Sequence, residues 1–125
     1  MQSFNVKVYS NIETLVNILK KQNFDLIITE ASATTLLETL CTKSQILAFI
    51  PSDFIKIFNE DKILLNKRIF IAETKNEYIS MLNNLNHLLD NKKPIDDDFL
   101  FSYGFCGIEQ DPLMLTKKAI ESILI

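Results

Sequence analysis

The chain has 125 residues, 47% hydrophobic and 23% charged, which is the size and composition of one globular domain (1–125) with a single core. Thirteen basic against sixteen acidic residues give a net charge of −3 with no polybasic block, which argues against nucleic acid and anionic membrane surfaces as main partners. No apolar run approaches the length of a membrane span.

Phe4, Val6 and Val8 alternate with Asn5 and Lys7, the period of a strand with one wetter face. Ser10 with Glu13 fits a capping box, and Ile12, Leu15, Val16 and Leu19 then recur at helical spacing. Leu26, Ile27, Ile28 and Thr29 form a short continuous apolar run, typical of a parallel strand covered on both faces. A helix is expected from about Ala33, with Ser32 as N-cap and Leu36, Leu37 and Leu40 facing inward. A second buried strand runs from Ile46 to Ile50 and stops at Pro51, and a shorter helix is expected from Asp53 to Asn59. Arg68 to Ala72 reads as a fourth strand. Thr74 and Glu77 make another capping box, before a long amphipathic stripe of Tyr78, Met81, Leu82, Leu85, Leu88 and Leu89. Pro94 and the run Asp96, Asp97, Asp98 mark a solvated connection, and Asp111 with Pro112 opens a last helix. The alternation of strand and helix predicts an α/β fold: a three-layer, Rossmann-like parallel sheet of about four strands with helices on both faces.

Met1 and the residues after it lack the basic and apolar regions of a secretion signal. Cys41 and Cys106 have neither metal-ligand spacing nor a disulfide framework, and are expected as buried small apolar residues in a reduced, cytoplasmic setting. Gly104 and Gly107 are the only glycines, which excludes a glycine-rich phosphate loop. His87, the single histidine, projects opposite the apolar stripe of its helix, so solvent exposure is expected rather than catalysis. Asp96, Asp97 and Asp98 point in different directions and read as a charged linker, not a metal site.

Ligands of open parallel sheets sit at the carboxyl ends of strands, where helix N-termini point into the crevice. Glu30 is at such an end. A helix capped by Ser32 would turn the amides of Ala33, Thr34 and Thr35, with the hydroxyls of Ser32, Thr34 and Thr35, toward phosphate oxygens. Glu38 lies one turn beyond Thr34, outside the leucine face, where a carboxylate suits ribose hydroxyls. By spacing alone the plainer reading is favoured: a capped helix and a solvated glutamate.

The stretch "DLIITEASATTLLETLCTKSQILAFIPSDF", residues 25–54, resembles the donor-binding half of GT-B glycosyltransferases, in particular capsule and surface-carbohydrate transferases and the related glycerophosphotransferases. Their pattern is an apolar strand, an acid, a Ser/Thr-rich turn, then a helix reading roughly "LEALALGKPVI.F" into the next strand. The matching residues are Glu30, Ser32, Thr34, Thr35, Leu37, Glu38, Leu40 and the run from Ile46 to Phe49. The following strand, amphipathic helix, loop near Tyr103 and final helix also fit, so the resemblance covers nearly all of the chain, with the central thirty residues distinctive.

The resemblance implies that Ser32, Thr34 and Thr35 hold the phosphates of a nucleotide-sugar or CDP-linked donor and that Glu38 contacts its ribose. Glu30 and Glu38 match the Glu-x7-Glu spacing of many retaining members, in which the first acid lies near the donor sugar, although Ala31, Ser32 and Ala33 stand where those enzymes place Gly and Phe. No metal or cofactor is implied, and the catalytic base is expected in the other, acceptor half. Lys43 and Gln45 stand where the family has Gly and Pro. Two earlier strand–helix units and the acceptor half have no counterpart here, so the expected partner is a missing N-terminal half, a separate subunit, or a second copy paired through an exposed sheet edge. A fragment, a split subunit and an inactive remnant all fit. The rival reading is a receiver-like interaction module, since "FDLIITE" resembles a receiver's central strand. Val8 to Asn11, however, lacks the acidic pair that receivers carry after their first strand.

Overall fold

The computed structural model describes residues 8, 14–30, 34–102, 117 and 120–123. Strands β1 (Leu26–Glu30), β2 (Gln45–Phe49) and β3 (Phe70–Ala72) form one parallel sheet in the order β1-β2-β3. Helix α1 (Leu15–Lys21) precedes the sheet, and α2 (Thr34–Leu40) and α3 (Asn59–Asn66) connect its strands. Helices α4 (Lys75–Leu82), α5 (Leu85–Asp90) and α6 (Asp98–Ser102) follow. The chain is thus α/β, with a parallel sheet flanked by helices as expected, and with three strands among the described residues instead of about four. The expected strand from Phe4 lies outside the described residues apart from Val8, which is exposed. The expected helix start at Asp111 and Pro112 also lies outside them, although residues 120–123 are helical.

Register assigns the faces, because successive side chains of a strand alternate. Ile27 pairs with Ile46, Thr29 with Ala48, and Ala48 with Ile71. Over this face Leu36 and Leu40 of α2, Leu65 of α3, and Phe99 and Leu100 of α6 close onto Ile46, Ala48, Ile50 and Ile69 as one core. On the opposite face Glu30, Phe49 and Ala72 stand in one row, and Tyr78 of α4 stacks on Phe49 with ring centroids 4.6 Å apart. The central strand is covered on both sides, and Ile46, Leu47 and Ala48 are fully buried. That is why it reads as an unbroken apolar run. Ile28, on the edge strand, remains 42% exposed.

Several local expectations are corrected. Helix α1 starts at Leu15 with Thr14 as N-cap, its hydroxyl accepting from the Asn17 amide at 3.3 Å; the expected Ser10–Glu13 box lies outside the described residues. No helix spans Asp53 to Asn59: the Pro51 carbonyl closes a single turn with the amides of Phe54 and Ile55, and α3 begins only at Asn59. The long stripe after Thr74 is two helices, broken at residues 83–84, where the Asn84 side chain donates to the Ser80 carbonyl at 2.8 Å. The cap itself is as expected, with the Thr74 hydroxyl accepting from the Glu77 amide at 3.1 Å. Cys41 is exposed, because the chain turns outward as α2 ends; Cys106 lies outside the described residues. His87 is exposed, as its helical position predicts.

Asp96, Asp97 and Asp98 do point three ways, yet they are more than a linker. Asp96 accepts the Asp98 amide at 2.9 Å, Asp98 meets Lys67 at 3.1 Å, and one Asp97 oxygen is buried. They open α6 and so deliver Phe99 and Leu100 to the core.

Polar ties close the amino ends of the strands. The Arg68 guanidinium, 1% exposed, donates Nη2 to the Thr42 carbonyl at 2.7 Å, just past the end of α2. Burial lowers the Arg68 pKa, and nearby Asp97 opposes that shift. The Lys93 ammonium reaches the Asn66 carbonyl and lies 5.1 Å from the Phe70 ring centre; burial lowers its pKa.

Candidate functional site

The opposite, carboxyl edge carries the residues singled out above. Glu30 ends β1 and is exposed, directly across the register from Phe49. Thr34 and Thr35 open α2, both exposed; Ser32 lies outside the described residues, with Ala31 and Ala33. Glu38 is half-buried on α2, whereas Leu36, Thr39 and Leu40 are buried, so the helix turns its leucines to the core as expected. Thr39 joins them because its hydroxyl is satisfied internally by the Leu36 carbonyl at 2.8 Å.

Hydrogen bonding between β2 and β3 continues past their ends. The Ile50 amide donates to the Ala72 carbonyl at 2.9 Å and the Ser52 amide to the Glu73 carbonyl at 3.1 Å. Ser52, Glu73 and Thr74 therefore join Glu30, Thr34 and Thr35 along one edge. The edge is mixed in charge, with the Glu73 carboxylate paired to Lys62.

Sequence reasoning missed Tyr78. Its ring shields one side of Phe49 and brings its phenol near Glu30. Burial, then the Glu30 carboxylate, raises the Tyr78 pKa, so this group is a neutral hydroxyl at neutral pH. Within the apolar stripe Tyr78 read only as core. The available signal was its place one turn after the Thr74 cap, which brings it back over the strand ends.

Cavities among the described residues border the sheet. One of about 230 Å³ opens at the carboxyl ends of β2 and β3, and one of about 340 Å³ lies at the amino edge beside Leu19, Phe24 and Cys41. Among the described residues no group of three or more His, Cys, Asp or Glu side chains is placed to hold a metal ion. No helix among them is long and apolar enough to cross a membrane. Comparison with family models, curated proteins and solved structures finds no match for this chain.

Proposed function

We propose that this chain is the nucleotide-sugar donor-binding portion of a Rossmann-like GT-B glycosyltransferase of surface-polysaccharide biosynthesis, with hexosyl- or glycerophosphotransferase-like chemistry. Ser32, Thr34 and Thr35 take the donor phosphates, Glu38 the ribose, and Glu30 the sugar side. A partner half or subunit supplies the acceptor site and the catalytic base, so the chain has no transferase activity alone. The observation that carries this reading is the β1–α2 unit. A parallel strand ends on an exposed glutamate, and two exposed threonines open the next helix at the ligand-bearing edge of an α/β sheet. The reading also rests on the resemblance of residues 25–54.

Calorimetric titration with UDP, CMP and CDP tests it. Saturable binding of one of these, weakened by a Thr34→Ala, Thr35→Ala double variant, is the expected result. Absence of binding to all three, with a specific protein partner captured instead, would overturn this reading in favour of a receiver-like or remnant interaction module.

A further inference from the structure

The link from β2 to α3 forms an arch over the sheet edge. After the Pro51 turn, residues 55–58 run without helix; Ile55 and Ile57 pack partly buried against the core, while Phe54, Lys56 and Phe58 are exposed. Beneath it is the 230 Å³ cavity, lined on its apolar side by isoleucines such as Ile50, Ile55 and Ile71 and on its polar side by Ser52, Lys56, Asn59, Lys62 and Glu73. Lys62 and Glu73 pair with each other, and Lys56 has no ion pair among the described residues. None of the residues assigned to the donor lines this cavity.

We propose that the cavity binds a small organic carboxylate with a branched aliphatic body, its charge held by Lys56 and its body resting on the isoleucines. Size limits the ligand: at about 30 Å³ per water the space equals roughly seven or eight waters, so a molecule of about that many heavy atoms fills it. The isoleucines favour an apolar body, because displacing water from them is favourable. Charge selects the head group. Two lysines and one glutamate leave a single net positive charge, which balances one carboxylate; a phosphate dianion would set its second charge against Glu73.

The test is an amide-resolved NMR titration of the full chain with 4-methylpentanoate, beside its neutral analogue 4-methylpentanamide. Saturable shifts centred on Ser52, Lys56 and Glu73 are expected, with the amide bound about tenfold more weakly. Lys56 is exposed, so Lys56→Met keeps the fold; it should weaken the acid about tenfold and leave the amide unchanged. Glu73→Gln should strengthen the acid. Equal affinity for acid and amide, an unaltered Lys56→Met, shifts centred elsewhere, or no saturation by about 10 mM would each overturn the proposal. All of these leave the nucleotide reading at Glu30 untouched.

Discussion

Gln45 and Lys93, 48 residues apart, exchange two hydrogen bonds: the Gln45 amide donates to the Lys93 carbonyl at 3.0 Å and accepts from the Lys93 backbone N–H at 2.8 Å. A side-chain amide thus stands in for a strand neighbour at the first residue of β2, and ties the α5–α6 connection across the amino edge. Gln45 is buried, so its loss strands two backbone groups. Gln45→Leu should destabilise the fold by about 1–3 kcal/mol in urea unfolding. Gln45→Glu places a carboxylate in the same buried site against the Lys93 carbonyl and should cost at least as much as Gln45→Leu at neutral pH.

Arg68 makes a related tie at higher cost. Among the described residues its Nε and Nη1 have no hydrogen-bond partner, nor does one buried oxygen of Asp97, so the charge is only partly compensated there. Arg68→Met should destabilise by about 3 kcal/mol, because the Thr42 carbonyl and Asp97 lose their cation together. Adding Asp97→Asn to Arg68→Met should recover part of that loss. A double-mutant cycle in denaturant reads the coupling; strict additivity would show that the two groups do not interact.

These ties explain where sequence reading succeeded and where it stopped. β2 was legible because burial on both faces writes a continuous apolar run, β1 and β3 because their short apolar runs stop at polar residues, and the Thr74 cap because its partner is three residues away. Thr42 and Gln45 gave no hint of their partners, because Arg68 and Lys93 are distant residues whose contacts follow no local period. Helix α3 was missed because Ile55 and Ile57 sit inward from an arch instead of a helix, and only Leu65 of α3 is fully buried. Glu30, Thr34, Thr35 and Glu38 were singled out from the strand-to-helix turn alone, whereas Tyr78 reaches the same edge only through the tertiary fold.

That placement of Tyr78 is measurable by alkaline titration of tyrosine absorbance. The chain has three tyrosines, and Tyr78 should ionise above the ordinary value of about 10, through burial first and Glu30 second. Because the folded value is raised, its stabilising contribution is complete below about pH 10. It is lost as pH rises through the folded pKa. Tyr78→Phe should remove the late phase. Glu30→Gln should move that phase to lower pH without returning it fully to normal, since burial remains. An unmoved phase in Glu30→Gln would place the two groups apart.

Glu38 offers the sharpest separation of binding from folding. It shares α2 with the buried Leu36, Thr39 and Leu40 but is itself half-buried, and its carboxylate is not needed to fill the core. Glu38→Ala should change unfolding free energy by no more than about 0.5 kcal/mol, as for an ordinary surface substitution. Under the donor reading the same change removes the ribose acceptor, and nucleotide affinity should fall about tenfold. His87→Ala, on an exposed turn of α5, should alter neither quantity. Calorimetry beside urea unfolding separates the outcomes. Lost binding with an intact fold assigns Glu38 to the ligand, whereas unfolding of Glu38→Ala would mean that this face of α2 serves packing.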